Sequence, residues 1–212
     1  MRWKSYQEGL PYIAGVAVTA VLAGAFSKTL GRVGWLATLG TAAFFRDPER
    51  VIPESPEAVV APADGRVSDI GQMPNPFGGP TPMLRIGIFL SVLDVHVNRA
   101  PVAGTIKRVW HEEGEFLDAR DPFAADKNER RTWLIETCEG RHIAVRQLTG
   151  AIARRIVGWK SEGDSLEKGE RFGMIRFGSR TEVYLPLDAT IYAAVGHKVR
   201  GGESVLARLP ML

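Results

Sequence analysis

The sequence predicts an α+β protein in which N-terminal hydrophobic helices precede a mainly antiparallel β domain built like a sandwich or barrel. The first part of the 212-residue chain, up to residue 50, contains two apolar runs that suit helices. Beyond residue 50, prolines at positions 53, 56 and 62 break any helix. Short runs of alternating apolar and polar residues then recur roughly every ten residues, which is typical of antiparallel sheets rather than βαβ units.

The first apolar run extends from Leu10 to Phe26 without a charge, and the second covers residues 33–45. A membrane-spanning helix needs about 20 apolar residues, so the first run is borderline and the second is short. We predict a membrane-associating hairpin or anchor over residues 1–50, and two other interpretations stay open, a pair of buried core helices and a cleaved signal peptide. Basic residues at both outer ends favour the cytoplasmic side, whereas Lys28 and Arg32 in the connecting turn favour a shallow re-entrant insertion.

The charge distribution argues against a nucleic-acid-binding surface. The chain has 27 Lys and Arg residues against 24 Asp and Glu residues, a formal net charge of +3. The excess lies within residues 1–50, so the remaining domain, residues 51–212, has no clustered basic footprint. The single cysteine, Cys138, excludes an internal disulfide and fits a reducing compartment.

The β domain begins with a strand, a turn at Asp64-Gly65 and a second strand. Further strands are predicted at residues 83–92, 104–110, 131–138 and 141–150, and shorter runs continue the pattern between residues 152 and 209. Residues 114–130 are polar and contain Pro122, so we predict a long loop of the kind that often carries function.

Two positions combine residue types that suit catalysis. His96 follows an apolar strand and comes two residues after Asp94, so a carboxylate on the same strand face would orient its imidazole. Ser179 follows Gly178, and a strained Gly-Ser turn would expose the glycine carbonyl to the serine hydroxyl. Taken alone, each residue is more common in a purely structural role. The four histidines and one cysteine form no metal-binding pattern.

Four segments occur in order along the chain: PADGRV (62–67), FLSVLDVHVNRAP (89–101), DKNER (126–130) and GERFGMIRFGSRTEVYLP (169–186). The apolar N-terminus ends in FFRDPER (44–50). Together these segments resemble the short form of the phosphatidylserine decarboxylase family, over essentially the whole chain. The resemblance implies an enzyme of phospholipid biosynthesis that decarboxylates phosphatidylserine to phosphatidylethanolamine.

The resemblance also implies a cofactor made from the chain itself. The Ser179 hydroxyl would attack the Gly178 carbonyl and form an ester by an N-to-O acyl shift. β-Elimination would then release Gly178 as a carboxylate and leave a dehydroalanine, which water hydrolyses to a pyruvoyl group with loss of ammonia. The zymogen would thus be cleaved into a large chain, 1–178, and a small chain, 179–212, which stay together as a heterodimer. The amine of the substrate would form a Schiff base with the pyruvoyl group, which draws off the electrons left when CO2 departs.

Further residue roles follow from the same resemblance. His96 is the expected base that activates Ser179 and the candidate acid that protonates the carbanion, and Asp64 is the aspartate that completes the triad. Long-form enzymes carry a second histidine three residues after the first, where this chain has Arg99, so that division of labour is not carried over and His111 is the alternative. Candidates for binding the phosphate or carboxylate of the substrate are Arg99, Arg180, Arg130 and Lys107.

Two rival functions stay open at this point. The pattern ADGRV followed by GDSLEKGERFGMI also resembles half-motifs of lipoyl and biotinyl carrier domains, in which the Gly-Ser pair would be only a turn. The absence of a lysine at a hairpin tip counts against a carrier. The second rival is a decarboxylase of another serine-headed lipid or of a soluble amino acid. We expect a lipid substrate, no nucleic-acid partner and a location at the cytoplasmic side of the cell membrane; further homo-oligomerisation stays open.

Overall fold

The computed structural model describes residues 3–117, 127–150, 155–176 and 179–210. It shows an α+β protein with two N-terminal helices and mostly antiparallel strands, which confirms the predicted fold class. The chain forms two compact units, Met1–Glu49 and Arg50–Leu212.

The first unit contains two helices, α1 (Lys4–Phe26) and α2 (Lys28–Phe44). The backbone of Ser27 is extended between them, so Lys28 and Arg32 lie in α2 and not in the connecting turn that the sequence predicted. Small residues allow the helices to approach closely. A Cβ atom at Gly31 would lie 2.8 Å from the Cα of Gly24, which explains why glycine occupies this contact.

Helix α1 has the length and composition of a membrane-crossing helix. It contains 23 residues, and its most apolar 18-residue window has a mean hydropathy of 1.8 with 11% of that window buried. Of the helices in the described residues, it is the one that meets both conditions. Large apolar side chains on both helices are exposed, among them Leu10, Leu22, Leu36 and Leu39. The first unit therefore has the exposed apolar surface expected of a membrane-associating segment.

The second unit is built from short strands, and the strand pairings in its described residues are antiparallel apart from one isolated bridge between Glu115 and Asn128. The strands are β1 (Ala58–Val60), β2 (Gly65–Met73), β3 (Met83–Leu90), β4 (Val97–Arg99), β5 (Gly104–Glu112), β6 (Arg130–Glu136), β7 (His142–Leu148), β8 (Arg155–Gly158), β9 (Ser165–Leu166), β10 (Arg171–Arg176), β11 (Ser179–Leu185), β12 (Thr190–Ile191), β13 (Lys198–Val199) and β14 (Val205–Arg208).

These strands form three sheets. The largest has the order β13-β2-β3-β11-β7-β6-β5-β9, and two three-stranded sheets have the orders β4-β10-β8 and β1-β14-β12. Inward-facing side chains of all three sheets share one apolar core, which includes Ile88, Trp133, Val145, Phe172 and Leu206. Because alternate residues of a strand face opposite ways, a polar residue at an inward position is buried in this core.

The predicted strands agree with the observed ones to within a few residues, with one informative difference. The run predicted at 83–92 ends at Leu90, because residues 91–94 form a turn. In the predicted loop 114–130, an isolated β-bridge joins Glu115, near its start, to Asn128, near its end. Residues 118–126 of this loop lie outside the described part of the chain.

Candidate active site

The predicted cleavage site lies where the chain passes from one sheet to another. β10 ends at Arg176 in a three-stranded sheet, and β11 begins at Ser179 in the eight-stranded sheet. Gly178, the predicted source of the attacked carbonyl, lies outside the described residues. The junction thus separates two strands that have different partners.

The strand registers show which segment accompanies this junction. Ser179 is paired with Leu90 of β3, and Met174 is paired with Val97 of β4. The connection from β3 to β4, residues 91–96, therefore spans the same two sheets as the connection from β10 to β11. His96 stands at the end of that connection, where its carbonyl oxygen accepts a hydrogen bond from the backbone N–H of Ile175 at 3.3 Å.

Ser179 is fully buried at the start of β11. Its Oγ has no hydrogen-bond partner among the described residues. Native proteins pair nearly all buried polar atoms, so a buried hydroxyl without a partner calls for an explanation such as a chemical role. The placement of Ser179 in a central strand also holds its backbone firmly, because β11 pairs with β3 on one side and β7 on the other.

His96 is fully buried, and its ring orientation is set by the turn that precedes it. Its Nδ1 lies 2.9 Å from the carbonyl oxygen of Asp94. A carbonyl only accepts hydrogen bonds, so Nδ1 carries the proton in this contact and Nε2 is the unprotonated nitrogen of the neutral ring. This tautomer is the one that a general base needs at Nε2.

The Asp94 carboxylate does not serve the imidazole as the sequence predicted. Its Oδ2 accepts hydrogen bonds from the backbone N–H of Ser91 at 2.9 Å and from Ser91 Oγ at 2.7 Å. The prediction assumed a continuous strand, in which Asp94 and His96 would share a face. The turn instead presents the backbone carbonyl of Asp94 to His96 and uses the carboxylate to close itself.

The Asp64 carboxylate is bound by Arg50 and by the backbone of Gly201. Arg50 Nη2 donates to Oδ1 at 2.9 Å and to Oδ2 at 2.8 Å, and the N–H of Gly201 donates to Oδ1 at 2.7 Å. The Arg50 side chain is only 7% exposed, so this is a largely desolvated ion pair. A contact between Asp64 and His96, as the triad requires, stays a prediction.

The backbone of Arg99 is hydrogen-bonded to the segment that precedes Asp64. The backbone N–H of Arg99 donates to the carbonyl of Pro62 at 2.8 Å, two residues before Asp64. The guanidinium of Arg99 donates to the carbonyl of Gly169 at 3.1 Å, and the residue is 4% exposed. The backbone of Arg99 thus contacts the segment that leads to Asp64.

A sequence model described as phosphatidylserine decarboxylase matches residues 38–207 of the chain. The match covers most of the chain and includes Asp64, His96 and Ser179. The chain belongs to the phosphatidylserine decarboxylase family. The family predicted from the sequence is confirmed, whereas the short form stays a prediction, and membership of this family makes the protein a decarboxylase whose family acts on a lipid.

The structure does not bring the other predicted substrate-binding residues of this phosphatidylserine decarboxylase family member together. Lys107 is 46% exposed and lies 2.9 Å from Glu136, and Arg130 binds both oxygens of Glu112 at 2.7 Å. The Arg130 hydrogen bonds lower the pKa of Glu112. Lys107 and Arg130 are thus each paired with a carboxylate of the protein in this structure.

Arg180 belongs to a buried ionic cluster on the opposite face of β11 from Ser179. Its Nε donates to Glu182 at 2.9 Å, and its Nη2 lies 2.7 Å from Asp69. Glu182 is fully buried and also accepts from the Tyr184 hydroxyl at 2.7 Å. Burial and the Glu182 carboxylate raise the pKa of Tyr184 above its usual value. Neighbouring strand residues face opposite ways, so this cluster is separated from Ser179 by the sheet.

His111, the alternative second histidine, lies far from Ser179 in the sheet. It is on β5, three strands away from β11, which corresponds to about 14 Å at ordinary strand spacing. Its Nε2 lies 3.4 Å from Glu129, and its side chain is 45% exposed. In the described ranges no group of three or more His, Cys, Asp or Glu residues is placed to hold a metal ion.

The sequence reasoning missed three polar residues in the core beside β11, namely Asn98, Gln147 and Thr181. All three are fully buried. The signal was present in the strand pattern, since Ile143 and Val145 occupy inward positions of β7 and Gln147 continues that series. It was overlooked because a single polar residue in an apolar run has no chemical signature without its partner from another strand.

Proposed function

We propose that the chain is a self-processing phosphatidylserine decarboxylase that makes its own pyruvoyl group from Ser179 and works in phospholipid biosynthesis. The carrying observation is the buried Ser179 hydroxyl without a hydrogen-bond partner among the described residues, at the junction of two sheets. A hydroxyl that is consumed in a reaction has no need of a permanent structural partner. The residues present therefore fit the group that the family implies.

His96 is the base in this proposal. Its Nδ1 is held by the Asp94 carbonyl, so the unprotonated nitrogen is Nε2, which would take the proton from Ser179 Oγ as the hydroxyl attacks the Gly178 carbonyl. The Ser91–Asp94 turn holds the imidazole during this step, so it does the orienting that the triad assigned to an aspartate. The Asp64 carboxylate, which Arg50 already contacts, would have to accept a further hydrogen bond from a histidine to complete the triad as predicted.

The pyruvoyl group supplies an electron-withdrawing carbonyl that accepts the electrons released by CO2 loss. The chain supplies the surroundings. His96, again through Nε2, is the candidate to deliver a proton to the substrate carbon after CO2 has left. The buried position of both His96 and Ser179 excludes water, which strengthens hydrogen bonds and limits side reactions.

Strand pairing supports a stable heterodimer after cleavage. The small chain, residues 179–212, would contain β11 to β14. β11 pairs with β3 and β7, β13 pairs with β2, and β14 pairs with β1, all of which belong to the large chain. Separation of the two chains would break these ladders, so they stay together through hydrogen bonds and a shared core.

The exposed apolar helices support a membrane location. α1 is long and apolar enough to cross a bilayer, and a lipid substrate is reached most directly by an enzyme held at the membrane. We propose peripheral or re-entrant attachment at the cytoplasmic side of the cell membrane.

Intact mass spectrometry of the purified full chain tests the proposal. The expected result is two fragments, 1–178 and a pyruvoyl-blocked 179–212, together with release of CO2 from phosphatidylserine. Ser179→Ala abolishes both, whereas the exposed-serine control Ser161→Ala leaves both at the wild-type level. One unprocessed chain that decarboxylates the lipid at full rate would refute the mechanism. A carrier domain would tolerate Ser179→Ala without functional loss.

A further inference from the structure

We propose that the side-chain amide of Asn98 donates a hydrogen bond to a carbonyl or carboxylate oxygen at the reaction centre, and that Gln147 and Trp133 hold it in that orientation. This inference rests on the proposed function and adds to it a binding residue, Asn98, and two positioning residues that act through it. The supporting observations are the direction of a buried hydrogen-bond chain, the unpaired donor at its end and the place of that donor in the strand register.

The hydrogen-bond chain has a direction that is fixed by its first member. The indole Nε1–H of Trp133 can only donate, and it lies 2.8 Å from Gln147 Oε1. The other end of the Gln147 amide must therefore be the nitrogen, which donates to Asn98 Oδ1 at 2.6 Å. Because Oδ1 is the atom that faces Gln147, the amide N–H2 of Asn98 is turned away from Gln147.

The hydrogen-bond chain ends at an N–H donor for which the described residues provide no acceptor. Asn98 Nδ2 is buried and lacks a hydrogen-bond partner there, although Asn98, Gln147 and Trp133 are all fully buried. Leaving a buried amide unpaired destabilises the folded protein, because the group loses its hydrogen bonds to water. Two hydroxyls on β11, Ser179 Oγ and Thr181 Oγ1, are buried without described partners as well. Three unpaired polar atoms in one region of an otherwise apolar core indicate a place where another polar group is bound.

The strand register places Asn98 beside the reaction centre. Gln147 is paired with Thr181 across β7 and β11, so the Gln147–Asn98 contact brings β4 over the start of β11. Ser179 comes two residues before Thr181, and His96 comes two residues before Asn98. Since alternate residues share a strand face, His96 and Asn98 lie on one face of their segment, as Ser179 and Thr181 do on theirs.

Gly173 permits the contact between the two sheets. It is paired with Asn98 across β10 and β4. A Cβ atom at this position would lie 2.4 Å from the carbonyl oxygen of Val157 and 3.4 Å from Gln147 Nε2. A larger residue would therefore clash with the backbone of β8 and crowd the Gln147 amide that contacts Asn98.

The chemistry of the donor defines what it binds. A neutral amide N–H2 held in a dry site suits an sp² oxygen on which negative charge is present or develops. Two groups at this centre carry such an oxygen, the Gly178 carbonyl of the chain itself and the carboxylate of the serine headgroup of the substrate. The first would make Asn98 act during self-cleavage, and the second would make it act during turnover.

Two substitutions remove the Asn98 donor from the site, one at Asn98 itself and one at Gln147, which orients it. Asn98→Asp replaces the N–H2 by oxygen and keeps the acceptor for Gln147. Gln147→Glu keeps the acceptor for Trp133 but removes the donor to Asn98, so the Asn98 amide turns over and presents its oxygen to the site. Asn128→Asp is the matched control, because the Asn128 amide donates to the carbonyls of Leu117 and Thr149 and has no role in the proposed chemistry. Asn98→Leu, which buries no charge, replaces either acidic variant that fails to fold.

Full-length variants in detergent are followed by intact mass for the cleavage rate, by thermal unfolding for Tm, and by KM and kcat on phosphatidylserine micelles once cleaved. We expect Asn98→Asp and Gln147→Glu to slow one step by about tenfold to a thousandfold at neutral pH. Slow cleavage assigns the oxygen to Gly178, and normal cleavage with a raised KM assigns it to the headgroup. Asn98→Asp recovers as the pH falls, because a protonated carboxyl regains a donor. The control variant Asn128→Asp should have a lower Tm but wild-type rates of cleavage and of decarboxylation.

Wild-type cleavage, KM and kcat in both folded variants would overturn the inference while leaving the proposed function intact. A wild-type chain that neither cleaves itself nor releases CO2 from phosphatidylserine would instead refute the proposed function, and the inference with it. The two failures are therefore distinguishable in the same set of measurements.

Discussion

Removing the two charges of the Arg50–Asp64 pair one at a time tests which group the Asp64 carboxylate serves. The family resemblance assigns Asp64 to His96, whereas Arg50 Nη2 contacts both carboxylate oxygens, at 2.8 and 2.9 Å. The variants are Asp64→Asn, Arg50→Met and the double substitution. For stability measurements each is made in a Ser179→Ala background, so that all chains stay uncleaved and have the same covalent structure.

The expected magnitude follows from burial and from the remaining contacts. Removing one partner of a buried ion pair costs about 3–5 kcal/mol, because the other charge stays desolvated. Arg50 keeps Glu203 at 3.6 Å, and an amide at position 64 still accepts from Gly201, so we take a smaller cost of about 2 kcal/mol for each single variant. In a domain of this size that corresponds to a Tm lowered by about 4–8 °C. The double variant should lose about as much as either single one.

Stability is measured by thermal unfolding of the full chain in detergent, monitored by near-ultraviolet circular dichroism. Self-cleavage is measured by intact mass in a second set of the same variants that keeps Ser179. We expect non-additive Tm changes and a similar slowing of cleavage in both single variants. The reasoning is wrong if the stability losses add to within about 0.5 kcal/mol and Asp64→Asn alone abolishes cleavage. That result would restore the predicted triad, with Asp64 acting on the histidine.

Two further predictions concern ion pairs away from Ser179. Glu182→Gln removes a fully buried anion that lies 2.9 Å from Arg180 and 3.5 Å from Arg85, so the Tm should fall by an amount equivalent to about 3 kcal/mol; an unchanged Tm would contradict this. Arg130→Met should raise the pKa of Glu112, measured by NMR titration, because the Arg130 hydrogen bonds are the main cause of its lowering. A lowered folded-state pKa stabilises above the unfolded value of about 4.3, and that contribution disappears as the pH falls through the folded pKa. Since Glu112 is 38% exposed, solvent limits the loss in the variant to less than about 1 kcal/mol, and an equal effect at pH 7 and at pH 2 would contradict the assignment.

The strands were predictable from the sequence because their signal is local. Alternation of apolar and polar residues located β3, β5, β6 and β7 to within a few residues. The assignment of strands to sheets was not predictable in this way. β10 and β11 follow each other almost directly, yet β10 pairs with β4 and β8 whereas β11 pairs with β3 and β7. Partner choice depends on contacts between residues far apart in the chain, which alternation does not encode.

Some of the candidate site residues could be proposed from the sequence for the same reason. His96 and Ser179 lie in distinctive local sequences, and the strand registers bring their segments to the same two sheets. The ion pair between Asp64 and Arg50 could not be predicted from the sequence, because Arg50 was counted with the basic N-terminal anchor. In the structure Arg50 belongs to the second unit, and its side chain is 7% exposed in an ion pair, so it is not available to a lipid surface. Charge counting locates a cation in the sequence but not the carboxylate that neutralises it.

The change of sheet between β10 and β11 suits the proposed cleavage, because a cut there would leave the fold intact. β10 ends at Arg176 and β11 begins at Ser179, so a cut before Ser179 would fall at the edge of β11 and not inside it. Such a cut would keep the described pairings of β10 and β11, whereas a cut inside β11 would divide a strand that is paired on both sides. The new terminus at 179 would remain fixed by its register with Leu90. A reactive group made there, as we propose, would inherit a position set by the precursor, which is the preorganisation that catalysis requires.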